Sequence, residues 1–251
     1  MRRIKVGYFV SNLKNYSGAS FQALSLAKSI DRQKFEIIFF NKNKTGNRFS
    51  IEEFDGFTVV DLSASIILRL LQIVFYALLY KINIFHVHGF FKDALISSVL
   101  LRKKVVLKTT LLGEDDFHSL VQRRFGFLNR WLLMKVDINI ALSQALLDIN
   151  SKIIPRDRIK VIPNGVMVPD KESHSCNNKT FCTVGIIHPR KRTYEVIKYF
   201  CEFLSEDVDA KLYVVGPDVN SDRLTEFDSA YISPKLRQQP FQALLRTPLY
   251  P

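Results

Sequence analysis

The stretch IKVIPNGVMVPD (159–170), followed by TVGIIHPRKRTYEVIKYF (183–200) and KLYVVGPD (211–218), decides how the chain is organised. In the first piece an apolar run closes on Pro163, Asn164 and Gly165, residue types that end a strand and turn the chain. Next, VPDKESHSCNNKT (168–180) crowds polar and turn residues together without any apolar period, which is a linker signature. Beyond it a pattern restarts, with strand FCTVGII (181–187), turn HPRKR (188–192), helix TYEVIKYFCEFL (193–204) and strand AKLYVVG (210–216).

Upstream of the linker the same alternation runs through the chain. The runs KVGYFV, FEIIFF, FTVVDL, NIFHVH, KVVLKTT, DINIALS and IKVIP read as strands. Helical patterns lie between them at Phe21–Ile30, Ala64–Tyr80, Asp93–Leu101 and Phe117–Lys135. Several strand runs are apolar on consecutive residues, as strands covered by helices on both faces require. The expected class is therefore α/β and doubly wound, with a mostly parallel sheet. The expected boundaries are a Rossmann-like N-terminal domain over 1–166, a linker over 167–180 and a partial second Rossmann-like domain over 181–230 that faces the first across a cleft. The tail 231–251 carries four prolines and no acidic residue and fits neither sheet.

At 251 residues and 47% hydrophobic, the chain excludes a disordered segment or a small disulfide scaffold. Thirty-six Lys and Arg against 24 Asp and Glu leave a net charge of +12, which favours anionic partners. Nucleic acid is not expected, because charge alone points to it and no RNA- or DNA-binding module is recognisable. Cys176, Cys182 and Cys201 are odd in number and form no CxxC or Cys/His cluster, so neither a disulfide framework nor a metal site is expected. A cytoplasmic location is expected, with no signal peptide read at the N-terminus. The most apolar stretch, LSASIILRLLQIVFYALLYKI (62–82), approaches the ~20 residues that span a bilayer. Arg69 and Gln72 sit in its middle, and placing the arginine at the bilayer centre costs roughly 2.5–3.5 kcal/mol. A buried or membrane-leaning helix is the better reading.

Candidate site residues cluster where strands end. Gly18 precedes a helix in which Phe21, Leu24 and Ala27 repeat at helical spacing, so a ligand could approach backbone N–H groups there; a simple turn is the alternative. His86 and His88 fall on one face of a strand near its carboxyl end, where such sheets bind ligands, and either line a site or serve as buried structural residues. Gly113 is followed by Glu114, Asp115 and Asp116, which either accept hydrogen bonds from sugar hydroxyls or supply N-terminal charge to the next helix. Arg190, Lys191 and Arg192 occupy a strand-to-helix turn, as a phosphate site or as a solvated turn.

Taken together, Ile162-Pro163-Asn164-Gly165-Val166, Val184-Gly185 through Lys191, and Val214-Val215-Gly216-Pro217 resemble the retaining nucleotide-sugar glycosyltransferases of the GT-B fold, of the group 1 or family 4 type. The Gly18 loop, the HVHG turn (86–89) and ALSQALLD (141–148) match their places in that order, and the resemblance covers about Lys5 to Asp218. It implies a donor-binding set of Gly18, Gly185, Arg190, Lys191 and Gly216, and an acceptor side of His86, His88, Glu114, Asp115 and Asp116. It assigns no catalytic residue, and implies no cofactor beyond the nucleotide sugar as co-substrate. Departures are Ile186 where the family has arginine, Arg192 where it has glycine, TTLLG (109–113) in place of a histidine turn, and no E-x7-E segment before Pro251.

The expected function is transfer of a sugar from a nucleotide-sugar donor to a glycan or lipid-linked acceptor in cell-surface polysaccharide synthesis. It is expected to be metal-independent, at or near the inner membrane surface, and poor or inactive because the chain stops early. The alternative is a non-catalytic binding or scaffold remnant.

Overall fold

The computed structural model describes residues 3–14, 18–42, 49–166, 179–185, 191–204 and 210–215, and the chain divides into two units, 1–167 and 168–251. Arg190, Gly216, most of the linker and the whole tail 231–251 lie outside the described residues.

The first unit is built on one eight-stranded sheet in the order β3-β4-β2-β1-β5-β6-β7-β8. Its strands are β1 (Ile4–Ser11), β2 (Phe35–Lys42), β3 (Ser50–Phe54), β4 (Phe57–Leu62), β5 (Ile84–His88), β6 (Lys104–Thr109), β7 (Ile138–Ala141) and β8 (Ile159–Val161). All neighbours pair in parallel except β3 with β4. The helices are α1 (Gly18–Ser29), α2 (Ile66–Leu79), α3 (Lys92–Leu100), α4 (Phe117–Gln122), α5 (Gly126–Met134) and α6 (Gln144–Asn150). The α/β doubly wound class read from the alternation is the observed one.

Strand alternation sorts the side chains into two cores. Val6, Tyr8, Val10, Ile37, Phe39 and Val59 point to the face that α1 covers with Ala23 and Ala27. Phe9, Phe40, Phe85, Val87 and Leu107 point to the other, against Ile73 and Ala77 of α2, Leu95 of α3 and Leu132 of α5. Phe9 lies between Phe40 and Phe85 with ring centroids 4.8 and 4.7 Å away. Each such fully buried ring contributes about 1.5–3 kcal/mol.

Three elements depart from the sequence reading, one of them α6, which lies outside the expected helical patterns. The edge strand β3 was not expected, because SIEEF is mostly polar and its three central residues are exposed. Its signal was Asp55-Gly56, whose φ values of 55° and 75° make a two-residue hairpin that pairs Phe54 with Phe57. The single helix expected over Phe117–Lys135 is two helices. Phe125 takes φ 64°, and a Cβ on Gly126 would overlap the carbonyl of Val121, so the chain turns sharply where only glycine fits.

Arg69 of α2 is buried, not exposed. Its Nε pairs with Asp93 of α3, and its Nη1 donates to the carbonyls of Ser63 and Ala64 at 2.9 Å each. The arginine read as the obstacle to a membrane span thus ties α2 to α3. Among the described residues no helix is long and apolar enough to cross a membrane.

In the second unit, β9 (Lys179–Val184) and β10 (Ala210–Val215) pair in parallel, with α7 (Thr193–Leu204) as the crossover between them. This is one strand–helix–strand step of the Rossmann type.

Removing one partner of the buried pair leaves an uncompensated charge. Asp93→Ala should cost about 3–5 kcal/mol in a denaturant titration, while Arg69→Met with Asp93→Leu should cost far less.

Candidate functional site

In a parallel sheet, ligands bind beyond the carboxyl ends of the strands, where connections leave in opposite directions. Here that point lies between β1 and β5: β2 and β4 continue to one side, and β6 to β8 to the other.

Tyr8 on β1 stands level with His86 on β5, and His88 stands level with Lys108 on β6, so all four share one face. The rings form a cluster, with centroids 4.7 Å apart for Tyr8 and His86, 5.1 Å for Tyr8 and His88, and 4.3 Å between the histidines. Both imidazoles are buried, and neither Nε2 has a hydrogen-bond partner among the described residues. Burial, then the neighbouring Lys108, pushes the pKa of His86 down to about 4. His88 is held well below the ordinary histidine value by burial first, then by His86 and Lys108. Both are therefore neutral near pH 7 and can offer an uncharged ring nitrogen to a polar group. Lys108 Nζ donates to Asn164 Oδ1 at 2.7 Å, which ties the IPNGV turn to this cluster. Burial lowers the pKa of Lys108 as well. The sequence reading missed Lys108, although an ammonium inside the apolar run KVVLKT was a visible signal.

A second polar group orders the loop ahead of α1. Leu13 N donates to Asn41 Oδ1 at 2.9 Å, and Asn41 Nδ2 donates to Asp61 Oδ1 at 2.6 Å. Asp61 Oδ2 also accepts from Ser50 Oγ at 2.8 Å and from Lys14 Nζ at 3.3 Å. Asn41 and Asp61 end the apolar runs FEIIFF and FTVV, and that position at strand ends was their only signal. Gly18 opens α1, and a Cβ there would meet nothing within 4 Å. Among the described residues, none fills the space within 4 Å of that position.

The three acids after Gly113 divide. Asp115 accepts from Thr110 N, Thr110 Oγ1 and Leu111 N at 2.6–3.0 Å, and burial raises its pKa against those donors. Asp116 caps α4, accepting from Ser119 N at 2.9 Å, Ser119 Oγ at 2.7 Å and Gly113 N at 2.6 Å. Burial pushes its pKa up, but these donors outweigh that and the net shift is downward. Both carboxylates thus shape their own turn. Glu114 is the exposed one, 3.5 Å from Arg123. The turn is anchored by Asn150, whose Oδ1 accepts from Phe117 N at 2.8 Å and whose Nδ2 donates to Thr109 Oγ1 at 3.1 Å.

In the second unit, Gly185 ends β9 with φ 151° and donates its N–H to Val215 O at 2.8 Å. A Cβ on it would lie 3.9 Å from Cδ and Cε of Lys191, so the lysine chain crosses directly over the glycine. Lys191 is exposed just before α7, beside the positive end of that helix. Arg192 takes φ 52°, the left-handed region that favours glycine, at the very position where the resembling family carries glycine. Among the described residues no group of three or more His, Cys, Asp or Glu could hold a metal ion.

This architecture is shared with solved structures. Anabaena HepE in complex with UDP and glucose superposes with a TM-score of 0.69 at 13% identity, covering 96% of this chain and 69% of that one. The catalytic domain of Arabidopsis thaliana starch synthase IV bound to ADP and acarbose gives 0.63 at 9% identity, covering 99% and 75%. A UDP-N-acetylglucosamine 2-epimerase from Listeria monocytogenes gives 0.60 at 14% identity, covering 98% and 70%. At these identities the likeness is one of fold, and the class it defines is the GT-B protein with paired Rossmann-like domains. A search of curated protein sequences finds no match. Residues 16–168 match the model of Glycosyltransferase Family 4, and the chain belongs to that family.

The histidine pair makes stability depend on acid. In the folded chain His86 stays neutral down to about pH 4, whereas unfolded it protonates near pH 6.5, so the unfolded state binds the extra proton. Stability should therefore fall by about 3 kcal/mol from this residue as pH drops from 6.5 to 4. Chemical denaturation of His86→Phe over that range should show a correspondingly shallower loss.

Proposed function

We propose that this chain transfers a sugar from a nucleotide-sugar donor to a glycan or lipid-linked acceptor at a membrane surface, in cell-surface polysaccharide synthesis. The observation that carries the donor half is the turn in which Lys191 lies across Gly185 at the start of α7. A nucleotide-diphosphate leaving group gains negative charge as the glycosidic bond breaks, and the ammonium and helix N-terminus sit where such charge is stabilised. The family match and the UDP held by HepE support this reading. With no metal required, Lys191, Arg190 and the helix supply the countercharge, and the sugar is transferred with retention at its anomeric carbon. On the acceptor side, His86, His88 and the exposed Glu114 offer acceptors for sugar hydroxyls.

A second reading, donor binding without turnover, is favoured by Ile186 standing where the resembling family has arginine. One cation fewer at the diphosphate weakens the stabilisation of the departing charge. The two readings separate when the chain is given UDP-sugars with membrane-derived acceptors. Multiple turnover supports transfer, whereas binding with no product supports the second reading. Epimerised donor formed without acceptor would overturn both.

A charge-assisted contact to phosphate contributes roughly 1.5–3 kcal/mol, so Lys191→Ala should weaken UDP binding about tenfold or more in calorimetry. Arg192→Ala should have a smaller effect, and the reverse order would place the phosphate elsewhere in the turn.

A further inference from the structure

Helix α2 turns its apolar side outward. Ile67, Leu68, Leu71, Phe75, Leu78 and Leu79 are 54–68% exposed. At 3.6 residues per turn they fall within an arc of about 120°. No polar residue of α2 is exposed, and its single charge, Arg69, points into the protein to Asp93. A helix facing water would carry the opposite arrangement.

The carboxyl end of this face runs into a groove. Leu78 belongs to both the exposed arc and a cavity of about 640 Å³, which is also lined by Arg3, Lys81, Asn83, Lys103 and Lys104 and by no acidic residue. Arg3 and Lys104 have carboxylate partners in Glu36 and Asp137. Lys81 and Lys103 have no ion pair among the described residues. Apolar area next to unpaired cations is the chemistry of an interfacial helix on a negatively charged lipid surface.

We propose that this face docks on the surface of an anionic phospholipid bilayer. Helix α2 lies in the interface plane with its leucines and Phe75 among the acyl chains, and Lys81 and Lys103 meet the phosphates of the headgroups. A second copy of the chain is the poorer occupant. A two-fold contact through α2 would bring the same basic groove against itself, whereas anionic lipid satisfies the apolar arc and the cations together. The inference rests on the proposed function only for the whereabouts of the acceptor. Vesicle binding needs no sugar donor, so its failure and a failure of transfer are read separately.

The test is sedimentation of the 251-residue chain with vesicles of phosphatidylcholine alone and of phosphatidylcholine with phosphatidylglycerol, alongside light scattering without lipid. The chain should partition about tenfold or more in favour of the anionic vesicles. Leu71→Gln with Phe75→Ser, both at exposed positions, should lose about tenfold or more of that binding while melting as the parent does. Lys81→Glu with Lys103→Glu should abolish the preference for phosphatidylglycerol. Absence of binding by the parent chain, or undiminished binding by both variants, would overturn the proposal. So would a dimer in solution that Leu71→Gln with Phe75→Ser dissolves while vesicle binding is absent, because that assigns the face to a second copy.

Discussion

Strand β1 is hydrogen-bonded along both edges, to β2 over its whole length and to β5 over Val6–Phe9, and the rest of the first unit depends on this double pairing. A parallel neighbour cannot be reached by a hairpin, so every step away from β1 needs a crossover that packs on one face of the sheet. Steps from β1 toward β2 place α1 on one face, and the steps from β4 onward place α2 and α3 on the other. Both faces of β1 are thereby dry, and Tyr8 and Phe9 are almost wholly buried on opposite sides. His86 and His88 lie beside β1 at this point of reversal, near the carboxyl end of β5.

The strand ends on this side of the sheet are held by long-range polar contacts. Asn41 meets Asp61 across 20 residues of sequence, and Lys108 meets Asn164 across 56. The first joins the ends of neighbouring strands β2 and β4, and the second joins the end of β6 to the turn after β8, which is the role that buried, satisfied polar groups serve in specifying a single geometry. The two histidines are different, because their Nε2 atoms are buried without a partner among the described residues. Leaving such groups unsatisfied costs about 1–3 kcal/mol each, a cost that a bound hydroxyl would offset. The same desolvation that lowers their pKa keeps them neutral, so they act as hydrogen-bonding groups and not as cations.

How far the sequence was legible follows from the range of the interactions involved. Strands such as FEIIFF show themselves because burial on both faces writes a local apolar run. Edge strand β3 hides, because an edge with one wet face needs no such run. The break at Phe125 hides because helical spacing continues through it, and only Gly126 marks the close approach to Val121. His86 and His88 could be placed on one face by alternation and a buried role was one of their two readings, yet that Lys108 lies beside them was not readable, since it depends on which strands neighbour β5. Asp115 and Asp116 were open between two readings, and the donors that occupy their oxygens come from within five residues. Arg192 was visible as a departure from a glycine motif, and the backbone explains why the departure is costly: the position keeps the left-handed φ that glycine adopts freely.

Helix α2 shows what a hydropathy reading leaves out. Its 14 residues extend about 21 Å, and their order of apolar and charged groups resembles an interrupted membrane span. In the fold the interruption becomes the anchor, with Arg69 fixed by Asp93 and two carbonyls. Stability alone does not account for this arrangement, because a buried ion pair is roughly matched by well-packed apolar side chains of the same size. Exchanging the faces would bury the leucines and hydrate the arginine, a gain on both counts for a protein surrounded by water alone. An orientation that forgoes both gains suits an environment that is itself apolar on that side, as the proposed bilayer surface is. On that proposal the constraint on α2 concerns where the first unit sits, independently of the donor turn at Lys191.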